Sequence, residues 1–204
     1  MLPEYHNRIS TQETSTMLRQ ISILLLAVAC QFAVATEAAA KISTADHVAI
    51  THHIAHYGHT FDRGDSEGFA NLFHPNGSWH AYPNKSPTAL QVLNGREEIA
   101  AFANDRQQMF KDVGIETKHF MLNIILTEVG KGRIKATAMA LILWQRPYDG
   151  DPLPRPVQSG YYDFYLSKSA EGWRFDRVDV LTSGVYRPIE MYREEDLKKS
   201  RSRE

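Results

Sequence analysis

The chain has 204 residues, enough for one domain with a substantial core, and its 43% hydrophobic and 23% charged residues are ordinary for a globular fold. Lys and Arg number 23 against 24 Asp and Glu. That balance excludes the basic excess of a typical nucleic-acid binder, and no polybasic membrane patch is evident.

In chain order, residues 1–35 read as a signal peptide. Ile21 to Ala29 is an apolar run behind Arg19. It falls short of the ~20 residues that span a bilayer and resembles a signal h-region. Ala33 to Ala35 supplies small residues for cleavage before Thr36, and Met17 makes a more usual start than Met1. Leu26 to Cys30, "LAVAC", also resembles a lipobox with Cys30 as the lipidated residue. Both routes imply export to the periplasm or beyond. Cys30 is the only cysteine, so the mature domain is expected to hold together without a disulfide.

Residues 36–45 read as a linker, 46–187 as the domain and 188–204 as a charged tail. Asp46 is the expected N-cap of a helix to about Arg63, broken by Gly64-Asp65. Ser66 to Phe73 reads as a short second helix capped by Ser66, His74 to Gly77 as a turn, and Ser78 to Tyr82 as a strand. After a Pro/Asn/Ser loop, Asn94 to Phe110 reads as a third helix with two Glu in its first turn. The pattern then changes to strands: His119 to Val129, Arg133 to Arg146, Ser159 to Ser167 and Trp173 to Leu181. The four prolines between Pro147 and Pro156 indicate a loop. Helices followed by an antiparallel sheet make an α+β arrangement.

Four histidines crowd the first helix at His52, His53, His56 and His59. At ~100° per residue, Ile50, Ile54, Tyr57, Gly58 and Phe61 share the core face, with Asp62 at its edge. His52, His56 and His59 fall on the opposite face and His53 on the flank. No acidic partner shares their face and no cysteine is near, so they are expected to form a surface without a metal. On periodicity alone, Asp62 is a helix-end residue and Tyr57 a core residue.

Several segments together resemble the SnoaL-like branch of the nuclear transport factor 2-like superfamily. They are "YGHTFDRGDSEGFANLFHPNGSW" from Tyr57, "NGREEIAAF" from Asn94, "ETKHFMLNIIL" from Glu116 and "SGYYDFYLSKSAEGWRFDRVDV" from Ser159. The resemblance implies a cone: a curved antiparallel sheet wrapped against N-terminal helices around a deep pocket. It also implies a homodimer or homotrimer formed through the sheet's outer face. At residue level it points to scytalone dehydratase, bile-acid 7α-dehydratase and hexachlorocyclohexane dehydrochlorinase, which use an Asp–His dyad. Asp62 and His119 match the dyad positions. Tyr57 resembles the tyrosine of the bile-acid enzyme, where the dehydrochlorinase has lysine. That enzyme's arginine has no counterpart here, so loss of water is favoured over loss of halide.

An imidazole oriented by a carboxylate is a competent base near neutral pH, and a tyrosine can donate to a leaving oxygen. The resemblance therefore implies a dehydratase-like lyase or isomerase that needs no cofactor, acting on a small apolar, cyclic or polyketide-like molecule. Strand alternation places Ala138, Ala140, Ile142 and Trp144 on one face. Ala140, Ile142, Trp144, Trp79, Asn123 and Tyr162 are the candidate substrate contacts, and Trp173 is assigned to packing. The alternative is a non-catalytic small-ligand-binding protein of the same fold.

Overall fold

The computed structural model describes residues 42–146 and 151–183. The expected signal segment, Cys30, most of the linker and the charged tail lie outside the described residues. Helix α1 spans Thr44–Asp62, α2 Ser66–Asn71 and α3 Gly95–Asp112. The strands are β1 Phe73–Tyr82, β2 Gln91–Asn94, β3 Glu116–Gly130, β4 Arg133–Arg146, β5 Asp151–Ser169 and β6 Gly172–Ser183, with a short 3-10 turn at Pro83–Lys85.

The caps fall slightly away from their expected residues. Ser43, not Asp46, caps α1: its hydroxyl accepts the Asp46 N–H at 3.0 Å. Asp46 is freed to tie the helix start to the β5–β6 hairpin, accepting from Trp173 Nε1 at 3.0 Å and Lys168 Nζ at 2.8 Å. Asp65, not Ser66, caps α2 through Gly68 N–H at 2.8 Å. Asn94 caps α3, and the Glu98 carboxylate reaches back to its N–H at 2.7 Å.

The strands form one curved sheet in the order β2-β1-β6-β5-β4-β3. The pairing is not wholly antiparallel, because β1 runs parallel to β6. The expected turn at His74–Gly77 is instead an irregularity inside β1, between Phe73 and Ser78. The proline-rich stretch is also partly strand, since β5 starts at Asp151. Prolines fit there because β6 pairs with β5 only from Ser159 onward, so the earlier residues form an edge with one ladder unused.

The helices cover one face of the sheet. Ile50, Ile54 and Tyr57 of α1, Phe69 of α2 and Ile99 of α3 are buried against Phe164, Phe175, Val178 and Val180. Strand β4 contributes Ala136, Ala138 and Ala140 to this face, and across β5 they neighbour Phe164, Tyr162 and Gly160. Three one-carbon side chains leave room for the rings of Tyr57, Tyr162 and Phe164, which meet at 5.5–6.2 Å.

Candidate active site: the seam between α1 and β3

Helix α1 crosses the edge strand β3 at a glycine. A Cβ on Gly58 would lie 2.9 Å from the His119 carbonyl oxygen and 3.1 Å from its Cβ. Only a residue without a side chain lets the helix lie this close. One turn later Asp62 reaches β3. Thr117 and His119 are two residues apart and share its inward face.

The Asp62 carboxylate receives three donors from that strand. Its Oδ1 accepts Thr117 Oγ1 at 2.7 Å and His119 Nδ1 at 2.6 Å, and its Oδ2 accepts the His119 backbone N–H at 2.7 Å. A carboxylate only accepts, so Nδ1 carries the hydrogen and Nε2 of the neutral ring keeps its lone pair. Burial pushes the Asp62 carboxyl up, but the hydrogen bond and charge of His119, with the bonds from Thr117 and the backbone, hold it below the usual carboxylate range. Both side chains are 12% exposed. Phe61 stands edge-on to the imidazole at 5.1 Å, and Gln107 of α3 fixes that corner by donating to the Phe61 carbonyl at 3.1 Å.

The pair opens onto a groove of about 460 Å³. Its α1 wall is Ala55, His59, Asp62 and Arg63, and its β3 wall is residues 118–122, Lys118 to Leu122. That volume suits a small molecule.

Residues 43–179 match the SnoaL-like domain family. The chain belongs to that family. A search of curated protein sequences found no match. Among solved structures, ActVI-ORFA from Streptomyces coelicolor is 21% identical, covers 71% of this chain and 100% of its own, and has a TM-score of 0.60. An NTF2-like protein with a cystatin-like fold from Novosphingobium aromaticivorans is 21% identical over 68% of this chain and 80% of its own, with a TM-score of 0.55. A protein from Catenulispora acidiphila, solved in complex with S-DNPA, is 21% identical over 67% of this chain and 94% of its own, with a TM-score of 0.54. At these identities the likeness is one of fold.

In this SnoaL-like chain the other candidate residues do not line the groove. Tyr57 is buried in the core, where its hydroxyl oxygen accepts Trp79 Nε1 at 2.9 Å. Burial pushes its pKa above the usual phenol range, so it keeps its proton. Among the described residues that proton has no hydrogen-bond acceptor. Trp79 also packs on Phe102 of α3 at 5.0 Å, and Tyr162 lies 6.0 Å from the Tyr57 ring. Ala140 and Ile142 are buried on the concave face beside Met121 and His119, and Trp144 packs edge-on to Phe110 at 5.4 Å.

Asn123 is misplaced by strict alternation. It sits in a bulge between Leu122 and Ile125 with φ +50°, which turns its side chain to the outer face against Met139 Sδ at 3.2 Å. It does not face the pocket. From the sequence Thr117 is not marked at all, and Gly58 is marked only as one residue of the core face. Thr117 could have been found two residues before His119 on the same strand face, and Gly58 as a glycine inside a helix.

His52, His56 and His59 are exposed, and His53 is half-buried. Among the described residues no group of three or more His, Cys, Asp or Glu is arranged to hold a metal.

Proposed function

We propose that this SnoaL-like protein is a lyase or isomerase that uses His119 as a general base oriented by Asp62, working without a cofactor. The observation that carries the reading is the 2.6 Å contact from His119 Nδ1 to a carboxylate that three donors hold in place. In the elimination, Nε2 takes a proton from carbon beside a carbonyl. The electron pair forms the new C=C bond as the C–O bond breaks, and the departing oxygen takes a proton and leaves as water. Asp62 fixes the tautomer and stabilises the imidazolium formed. Tyr57, expected as the donor, lies in the core outside the groove, so the proposed donor to the leaving oxygen is the imidazolium of His119, which returns the proton it has taken.

The substrate we propose is small, largely apolar and cyclic or polyketide-like. Trp79, Ala140, Ile142, Trp144 and Tyr162 pack behind Asp62 and His119, and the proposed apolar lining is the Phe120, Met121 and Leu122 wall of the groove. Export of the chain rests on the apolar run Ile21 to Ala29, and fractionation with and without residues 1–35 tests it. A homodimer or homotrimer is supported by the exposed apolar side chains Met139 and Tyr161 of the outer strand surfaces. Light scattering of the purified domain measures it.

The deciding experiment identifies the bound small molecule by mass spectrometry of the purified protein, then follows its turnover in D₂O. Wild type should release water and incorporate solvent deuterium, and His119→Gln and Asp62→Asn should not. A ligand bound by wild type without turnover or exchange would instead make the chain a non-catalytic carrier of the same fold.

A further inference from the structure

The groove beside Asp62 and His119 is apolar along much of its floor, yet its charged rim is cationic. Phe120 and Leu122 are nearly half exposed in it, and Arg63 and Lys118 stand beside them. The one acidic residue in the wall is Asp62, whose two oxygens are already taken by three donors. A cationic ligand therefore has no open carboxylate to meet there.

Among the described residues the Arg63 guanidinium has no hydrogen-bond or ion-pair partner. Lys118 has one partner, Glu116 at 3.4 Å, and both side chains are about half in water (47% and 45% exposed). Such a pair is weak and lets Lys118 swing to a better one. The C-terminal end of α1 would repel an anion if its carbonyls were bare. Three of the last four are capped: the N–H groups of Arg63, Gly64 and Asp65 bond to His59, Phe61 and Thr60.

From this arrangement we propose that the groove binds a molecule with an apolar body and one oxyanion, with Arg63 as principal anchor and Lys118 as its aid. A carboxylate suits best, because a guanidinium grips its two oxygens at once. The apolar body lies over Phe120 and Leu122 and brings its reacting carbon toward His119. The proposal rests on the reading of His119 as the base and adds the charge class of its substrate.

The test uses binding, which does not depend on turnover. Naphthalene-2-carboxylate and naphthalene-2-carboxamide share an apolar body and differ in charge. Calorimetric titration into the whole protein should show the carboxylate favoured by roughly fivefold or more at low salt, with the preference shrinking as salt rises. Arg63→Ala should abolish the preference, Arg63→Lys should restore part of it, and Lys118→Ala should reduce it. His119→Gln should leave it intact. Equal binding of the two probes, a preference that survives Arg63→Ala, or no binding of either at millimolar concentration overturns the proposal. A retained preference beside unchanged turnover in Asp62→Asn would sink the base reading alone.

Discussion

Two histidines lie at seams of helix α1, and the partners at those seams give them opposite characters. Where α1 meets α2 and β6, His53 Nε2 bonds to the Leu72 carbonyl at 2.8 Å, and its ring lies 4.5 Å from Phe175. Burial pushes its pKa down to about 4, against the opposing effect of that hydrogen bond. It is neutral at neutral pH and serves to staple backbone to backbone. Where α1 meets β3, His119 gives its Nδ1 hydrogen to a carboxylate and keeps the other nitrogen at the wall of a groove. The same ring becomes a staple against a neutral carbonyl and a candidate base against a charged, prefixed acceptor.

The strongest way to break the contrast is Asp62→Asn. The amide no longer stabilises an imidazolium and can favour the wrong tautomer, so turnover of the identified substrate should fall ~10³–10⁴-fold. The His53 seam should be untouched, and unchanged NMR shifts of the His53 ring check that.

The opposite seam responds to pH. His53 has a folded pKa near 4, below its ordinary 6.5, so the unfolded chain binds the proton first as acid is added. Its share of stability is fully present above pH 6.5 and is lost as pH falls toward 4. The loss is about 3 kcal/mol. Urea unfolding between pH 7 and pH 4 measures it, and His53→Gln should flatten that slope.

Gly58→Ala probes the geometry that brings α1 to β3. The methyl meets backbone, which cannot rotate aside, and the strain of ~1–3 kcal/mol exceeds the ~0.5–1 kcal/mol that alanine gains in a helix. A net loss of about 1 kcal/mol in urea unfolding is expected. The low-field Nδ1 proton of His119 in NMR should shift as the Asp62 contact lengthens.

Thr117→Val gives the smallest effect. It removes one of three donors to Asp62, worth about 1 kcal/mol. Turnover should drop several-fold. The acid limb of the pH–rate profile should move up, because the carboxyl rises toward its ordinary value. An unmoved limb would mean that Thr117 contributes packing only.

These residues also mark how far the sequence could be read. The core face of α1 follows from its 3.6 period, and the limits of β4 from Gly130-Lys131-Gly132 before it and Pro147 after it. Asp62 and His119 were legible through the family resemblance, since their contact joins positions 57 apart and no local pattern encodes it. Strand β2 has four residues, too few for alternation to show. The inward placing of Asn123 fails because one bulge resets the alternation for the rest of β3. The groove belongs to neither α1 nor β3 alone, so only their packing reveals it.

The parallel pairing of β1 with β6 also sets the timing of folding. Strand β6 lies in the interior of the sheet, between β1 and β5, and is the last of the six strands along the chain. Until it is inserted, β1 and β2 have no ladder to β3–β5, and the rings of Tyr57 and Phe164 lack Phe175 between the layers. The early hairpins can form locally, but closure waits for a contact spanning about a hundred residues, from Phe73 to Phe175. A chain cut short before Gly172 is therefore expected to hold β1 and β2 apart from β3–β5, with no strand between them to join the two parts of the sheet.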